Sequence, residues 1–234
     1  MPTADDYYAT RFRSDPRRAR LWAHLTRYLS RHVPPGATVL ELGAGYCYFI
    51  NAVPAARRIA VDVGEHVVQC AAPGVEAVNA DARSYLATVP AASIDVVFAS
   101  NFLEHFDWPD LDAMAAQVRR VLRPGGRLAV MQPNFRLNPG RYFDDYTHRA
   151  IFTDESLTDW LGASGFRVVE CVPRFLPLTV KSRGGALTAL VPLYLRLPWR
   201  PFAGQMFVLA ERAGEPATAA VSSAANVSSQ RRTE

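Results

Sequence analysis

The sequence predicts an α/β fold in which a seven-stranded, mostly parallel sheet carries helices on both faces. Short apolar runs alternate with segments of helical period from Thr38 onward, as in a parallel sheet with crossover helices. The first run ends in the glycine turn Gly43-Ala44-Gly45, and Pro124-Gly125-Gly126 ends a helix and leads into the fifth run. A chain of 234 residues is long enough for one such core with additions.

Residues 1–36 precede the first strand and predict an N-terminal helical arm or cap. Leu21, Leu25 and Leu29 belong to an apolar series at helical spacing. Pro34-Pro35-Gly36 then ends the helix. The pattern leaves two positions open for this arm: it covers the mouth of the ligand site described below, or it packs beside the sheet.

The strands and helices of the main domain follow in order. A helix over Leu111–Leu122 has one apolar face, and another begins at the N-cap Thr153-Asp154 and stops by Gly165. The predicted strands are 38–42, 58–62, 75–79, 94–99, 127–132, 166–172 and 205–210.

Additions to this pattern define the domain organisation. The main domain is predicted to span residues 37–212, with acceptor-side insertions at 133–150 and 174–203. The tail, 213–234, is rich in small polar residues without aromatics and is predicted to be disordered.

The turn after the first strand predicts a nucleoside site. Gly43 and Gly45 let a ligand approach the main chain closely, and amides at the start of a following helix would face an anionic group. Asp62 ends the second apolar run at the spacing expected for a ribose diol. A dinucleotide fingerprint needs glycine at the sixth position, where Tyr48 stands, and this disfavours a nicotinamide cofactor.

Glu41-Leu42-Gly43-Ala44-Gly45 resembles the acidic-x-Gly-x-Gly motif of class I S-adenosylmethionine-dependent methyltransferases, which have a Rossmann-like fold. Cys47 stands where that family usually has one more glycine. Segments 79–82, 98–106 (with its Leu-Glu-His turn) and 122–128 match the family in the same order. The resemblance implies S-adenosylmethionine as cofactor. The residues it implies for binding are Glu41, Gly43, Ala44, Gly45, Asp62, Asp81, Ala82, Ser100 and Asn101.

The segment after the fifth strand resembles a subgroup of small bacterial methyltransferases linked to polysaccharide or secondary-metabolite assembly. This implies methyl transfer to an oxygen or nitrogen of a small-molecule or sugar (glycan) acceptor. A hydroxyl acceptor must lose a proton, for which histidine is suited near neutral pH. His148, flanked by Asp144 and Asp145, is the first candidate base and His105 the second. Asp145 is assigned with them to the catalytic group, although an amine acceptor could react without a base.

Other functions stay open from the sequence. The fold could bind a nucleoside without turnover, as a scaffold protein, or segment 186–203 could reach a lipid-linked acceptor at a membrane surface. Asn134, Asp144 and Asp145 offer oxygen ligands to magnesium, but three oxygens in one loop are weak evidence, and no metal site is predicted.

The composition of the chain indicates which partners and which cellular compartment to expect. The net charge of +4 comes with scattered arginines, which argues against a nucleic-acid surface. Three widely spaced cysteines and the lack of a signal peptide predict a reducing, cytoplasmic compartment. The sequence leaves the oligomeric state open.

Overall fold

The protein is described by a computed structural model that covers residues 8, 10, 14–177 and 189–214. One sheet of seven strands has the order β3-β2-β1-β4-β5-β7-β6, with β7 antiparallel to both of its neighbours. This confirms the predicted fold class. The strands are β1 (Thr38–Leu42), β2 (Arg57–Asp62), β3 (Val75–Asn79), β4 (Ile94–Ser100), β5 (Leu122–Pro133), β6 (Phe166–Leu176) and β7 (Gln205–Arg212).

Helices connect the strands and cover both faces of the sheet. Residues 178–188 of the second insertion and 215–234 of the predicted tail lie outside the described residues. The division into arm, main domain and tail therefore stays a prediction. The α-helices are α1 (Pro16–Leu29), α2 (His66–Cys70), α3 (Ala82–Thr88), α4 (Trp108–Val121), α5 (Pro139–Tyr142), α6 (Asp154–Ala163) and α7 (Val191–Tyr194), with 3-10 turns at Ser30–His32, Leu103–His105 and Phe135–Leu137.

The sheet separates two apolar layers, because successive residues of a strand point to opposite faces. Leu40 and Leu42 of β1 belong to the layer that contains α3, α4 and α6. Val39 belongs to the layer on the other face, together with Leu25 and Leu29 of α1. A strand buried on both faces is typical of the centre of a parallel sheet, which explains why β1 reads as an unbroken apolar run.

The segment after β1 differs from the prediction. Residues 46–52 form consecutive turns and no α-helix. Cys47 has a φ of 58°, in the left-handed region, where the family usually has glycine. A residue in that conformation interrupts a right-handed helix. The backbone amides after the glycine turn were expected to lie at the start of a helix and to face an anionic group. They lie instead in consecutive turns.

Two strand boundaries differ from the prediction by about four residues or more, and the others by at most two. β5 begins at Leu122, earlier than predicted, because that residue already pairs with Ile94 of β4. β6 continues to Leu176, which pairs with Gln205 of β7 after a register shift. The extension carries the chain toward the carboxyl edge of the sheet, where the second insertion begins.

The arm takes up both positions that the sequence left open. Trp22 of α1 makes edge-to-face contacts with Phe49 and Phe98, whose rings stack with centroids 3.9 Å apart. These contacts fix α1 against the sheet. Arg18 and Trp22 also line the cavity at the carboxyl edge, so the same helix closes one side of that cavity.

The chain after residue 189 carries an exposed apolar surface. Val191 and Leu195 are buried against the sheet, whereas Leu193, Trp199 and Phe202 are 61%, 63% and 89% exposed. No helix among the residues that the structure describes is long and apolar enough to cross a membrane.

Candidate active site

A cavity of about 560 Å³ lies at the carboxyl ends of β1 to β5, within the size range of small-molecule sites. This is where open α/β sheets bind ligands, next to the switch in strand order between β1 and β4. The structure brings together at this cavity all nine residues predicted for cofactor binding, namely Glu41, Gly43, Ala44, Gly45, Asp62, Asp81, Ala82, Ser100 and Asn101.

The glycine turn is shaped by contacts with the end of β2. The amides of Gly43 and Ala44 donate to the Val61 carbonyl at 2.9 and 3.1 Å. Gly43 has a φ of 69°, and a Cβ there would lie 2.4 Å from Cδ2 of Phe102. Glycine is therefore required twice at this position, by the backbone conformation and by the neighbouring ring.

Asp62 links the glycine turn to the arm. Its carboxylate accepts from the amides of Gly45 (2.8 Å) and Gly64 (2.7 Å) and from the hydroxyl of Tyr8 (2.7 Å). A carboxylate has about four acceptor sites, so one remains for a ligand hydroxyl beyond these three bonds. The tyrosine hydroxyl also occupies a place that a ribose hydroxyl could take.

Glu41 lies beneath the turn and is 4% exposed. Its Oε2 accepts from the amide of Ile50 at 3.0 Å. Burial raises the pKa of Glu41 well above its usual value; the Ile50 amide opposes this rise, and the nearby Asp62 carboxylate adds to it. Glu41 therefore ties the turn segment to β1.

Asp81 caps α3, as its position before a helix allows. It accepts from the amides of Arg83 (3.0 Å) and Ser84 (3.1 Å) and pairs with the Arg83 guanidinium. Partial burial would raise the pKa of Asp81, but these bonds outweigh it and hold the pKa below its usual value. The carboxylate lines the cavity as an anion, and capping and ligand contact are compatible roles.

The acceptor side is formed by the 3-10 turn after β4 and by the loop before α6. His105 and Thr147 both line the cavity. Thr147 Oγ1 donates to Asp145 Oδ1 at 2.6 Å and lies 2.9 Å from His105 Nδ1. Because the hydroxyl proton goes to Asp145, Oγ1 can accept from His105 in the tautomer that carries its proton on Nδ1.

The charge state of His105 follows from its surroundings. Burial lowers the pKa of His105 to about 4, the nearby His148 adds to this, and Asp145 opposes it. The imidazole is therefore neutral near pH 7. Bonds from Thr147 outweigh burial at Asp145 and lower the pKa of that carboxyl, so Asp145 is ionised.

His148 takes a different position from the one expected for the first candidate base. Its ring packs against Tyr142 and His105, with centroids 4.7 and 5.2 Å away, and its Nε2 lies 4.0 Å from Glu104 Oε1. It is absent from the residues that line the cavity. The structure therefore gives His105 the position against the cavity and places His148 in the layer around it.

The geometry just described is that of a ligand pocket with an adjoining polar wall. The family model described as "Methyltransferase domain" matches residues 14–171. This chain belongs to that methyltransferase family. S-Adenosylmethionine is the cofactor that family membership implies, and the nine residues gathered at the strand ends fit it through a carboxylate for a diol and a glycine turn for close approach.

Named relatives of this methyltransferase domain act on different acceptors. It is 32% identical over 160 residues to a trans-aconitate 2-methyltransferase of Azoarcus sp., covering 64% of this chain and 56% of that protein. It is 35% identical over 167 residues to a malonyl-[acyl-carrier protein] O-methyltransferase of Methylococcus capsulatus, covering 62% and 58%. The chain thus spans less than two thirds of the length of these relatives.

A solved structure supports the fold of this methyltransferase domain. A SAM-dependent methyltransferase from Archaeoglobus fulgidus superposes with a TM-score of 0.59 at 20% identity, over 81% of this chain and 94% of that one. At this level of identity the likeness concerns the fold.

Several site residues of this methyltransferase domain were missed by reasoning from sequence. Tyr8 and Trp22 reach the site from the arm, and Gln205 reaches it from β7, where its Nε2 donates to Asn101 Oδ1 at 2.9 Å. The aromatic content of the arm was a usable signal for the first two. Nothing local marks Gln205, because its place depends on antiparallel pairing of β7 with β5.

The three oxygen residues considered for magnesium each bond to a different partner. Asn134 is buried and its Oδ1 accepts from the Arg136 amide at 3.2 Å, Asp144 pairs with Arg141 on the exposed side of the loop, and Asp145 is held by Thr147.

Proposed function

We propose that the protein is an S-adenosylmethionine-dependent O-methyltransferase acting on a small-molecule acceptor. The observation that carries this proposal is the cavity itself. It joins the nine cofactor residues to a wall formed by neutral His105 and the Thr147 hydroxyl. A scaffold protein that only binds a nucleoside would need the nine cofactor residues but not the wall formed by His105 and Thr147.

Methyl transfer needs positioning more than bond activation, because the sulfonium donor is already activated. Holding donor and acceptor in line contributes on the order of 7–11 kcal/mol. The remaining requirement for a hydroxyl acceptor is removal of its proton. His105, kept in one orientation by Thr147 and Asp145, is the residue proposed to receive that proton or to hold the acceptor oxygen.

The class of acceptor is proposed from the relatives and from the wall of the cavity. One named relative is an O-methyltransferase, and Arg149 lines the cavity beside Thr147. Its Nη1 pairs with Asp107 Oδ2 at 2.8 Å, and the other N–H groups of the guanidinium would donate to a carboxylate or phosphate of the acceptor. We therefore propose an anionic or hydroxylated metabolite of natural-product or glycan biosynthesis.

The cofactor assignment is tested by titrating the protein with S-adenosylhomocysteine and, separately, with NAD. We expect binding of the first and no comparable binding of the second. Asp62→Asn should weaken S-adenosylhomocysteine by about 10- to 150-fold, since a charge-assisted contact contributes about 1.5–3 kcal/mol. Asp144→Asn, on the exposed part of the loop, is the matched control and should bind like the wild type. Tight NAD binding, or an unchanged Asp62→Asn variant, would contradict the assignment.

A membrane-surface contact is a second proposal, supported by the exposed apolar side chains after residue 189. Phe202 is 89% exposed and has a φ of 58°, an uncommon conformation for an aromatic residue. Trp199 lies under the Arg174 guanidinium, 5.6 Å from the ring centroid. Exposed aromatic side chains with adjacent arginines are typical of surfaces that bind anionic lipid.

Co-sedimentation with vesicles tests this second proposal. We expect the protein to sediment with phosphatidylglycerol vesicles and less with phosphatidylcholine vesicles. Replacing Trp199 and Phe202 together by alanine should reduce the bound fraction. Trp108→Ala, which removes an exposed tryptophan from α4, is the control. If the wild type stays in the supernatant with both lipids, the acceptor is not reached at a membrane through this surface.

A further inference from the structure

We propose that Glu104, His105 and His148 bind one divalent transition-metal ion, such as Zn²⁺, at the acceptor side of the cavity. One ligand atom from each residue lies within 4.8 Å of the other two. Two imidazoles and one carboxylate are a ligand set of catalytic zinc sites, which keep a further position open for water or substrate. The inference rests on the proposed function and deepens it.

Glu104 gives the first argument, from charge. Its side chain is 0% exposed, and its Oε1 lies 4.0 Å from Nε2 of His148. A cation bound at a buried carboxylate favours the ionised form of that carboxylate. Ligand atoms around a tetrahedral zinc are about 3.3 Å apart. The ligand atoms would therefore need to approach one another by up to about 1.5 Å to hold the ion.

The groups around the ligands give the second argument. Metal-binding histidines are usually oriented by a hydrogen bond to their other ring nitrogen. Thr147 Oγ1 makes such a bond with Nδ1 of His105, and Asp145 fixes the hydroxyl in turn. His148 is packed against the ring of Tyr142, whose hydroxyl donates to the Ala150 carbonyl at 2.6 Å.

The backbone supplies the third argument, because it joins the two segments that carry the ligands. The amides of Arg149 and Ala150 both donate to the carbonyl of Glu104, at 2.8 and 3.2 Å. The loop that bears His148 is thereby held next to the turn that bears Glu104 and His105. Preorganised ligands on two connected segments are what a metal site requires.

His105 and Thr147 border the cavity, whereas Glu104 and His148 lie behind it, so an acceptor would meet the ion on the side of His105. An acceptor hydroxyl at the open position would lose its proton to solvent more readily beside a cation. Its oxygen lone pair then forms the bond to the methyl carbon, while the carbon–sulfur bond breaks and leaves its electron pair on sulfur. The nitrogen ligands favour Zn²⁺ or Co²⁺ over Mg²⁺ or Ca²⁺, which prefer oxygen.

The test uses the full chain after removal of metal with a chelator. Calorimetric titration with Zn²⁺ and visible spectra with Co²⁺ measure binding without any acceptor. We expect one equivalent to bind and ligand-field bands to appear with Co²⁺. Glu104→Gln and His148→Ala should each lower Zn²⁺ affinity by at least the roughly 10- to 100-fold known for loss of a supporting residue. His24→Ala, on α1 and outside the cluster, is the control and should bind like the wild type.

The proposal is overturned if no Zn²⁺ binds or if both variants bind Zn²⁺ with wild-type affinity. Stoichiometric binding of Mg²⁺ in preference to Zn²⁺ would also overturn it. Circular dichroism checks folding, and Glu104→Gln, which keeps the size of the side chain, decides the result if His148→Ala does not fold. The chelated protein is also titrated with S-adenosylhomocysteine and assayed for methyl transfer. Transfer without any Zn²⁺ binding would refute the metal site and leave the methyltransferase proposal standing.

Discussion

We expect His105→Ala to lower the rate of methyl transfer by about 10²–10⁴-fold, the usual effect of losing a group that handles a reacting proton. His105 lines the cavity, and its ring is held by Thr147 at 2.9 Å. The same loss is expected if the imidazole holds an ion that polarises the acceptor. The measurement is S-adenosylhomocysteine formation with whichever hydroxylated or carboxylated small molecule the wild type methylates fastest in a panel.

Three further variants make this result specific. His24→Ala removes a half-buried histidine from α1 and should keep the wild-type rate. Thr147→Val should lose part of the rate, because it removes the hydroxyl that orients His105, and Thr147→Ser should restore it. Cofactor affinity should stay near the wild-type value in all of them. A wild-type rate in His105→Ala would exclude the residue from the mechanism. If the variant loses cofactor affinity together with activity, His105 belongs to the part of the site that binds the cofactor.

The second large effect is expected from Gly43→Ala. A Cβ at this position would lie 2.4 Å from Phe102 Cδ2, and the φ of 69° disfavours any side chain. The strained backbone conformation costs about 1–2 kcal/mol, and the Phe102 ring, which lines the cavity, must move. We therefore expect a lower free energy of unfolding in urea and a loss of S-adenosylhomocysteine affinity measured by calorimetry.

Gly36→Ala separates the two causes. Gly36 has a φ of 74° and no heavy atom within 4 Å of an added Cβ. It should show the backbone cost alone, with cofactor affinity unchanged. If Gly43→Ala binds the cofactor as tightly as Gly36→Ala does, the Phe102 ring relaxes without disturbing the site and the close approach at Gly43 is not required for binding.

The residues from the strand ends that line the cavity could be predicted because their signals are local. Each parallel strand is an apolar run, and the residue after it stands at the carboxyl edge where ligands bind. Glu41, Asp62 and Asp81 were found in this way, and all three line the cavity. Gly43 was found because a turn of this kind needs a positive φ, which favours glycine.

Local signals also misled in one place. Residues 46–52 follow the glycine turn as a helix would, yet Cys47 adopts a left-handed conformation and the segment forms turns. Burial raises the pKa of the Cys47 thiol to about 12, so the side chain acts there as a small apolar group. A backbone conformation that is unfavourable for cysteine is maintained by packing of this side chain in the core, and sequence spacing does not report packing.

The sequence by itself determined the order of strands and helices and the residues that gather at the carboxyl edge of the sheet, since these follow from residue periodicity along each strand. Only the tertiary structure decided which histidine faces the cavity. Thr147 meets His105 across 42 residues of chain, and Glu104 meets His148 through a loop held by the Glu104 carbonyl. From the sequence, both histidines are candidate bases. The structure distinguishes them, because His105 borders the cavity and His148 is packed behind it against Tyr142. Such a difference comes from contacts between distant segments, which no local pattern encodes.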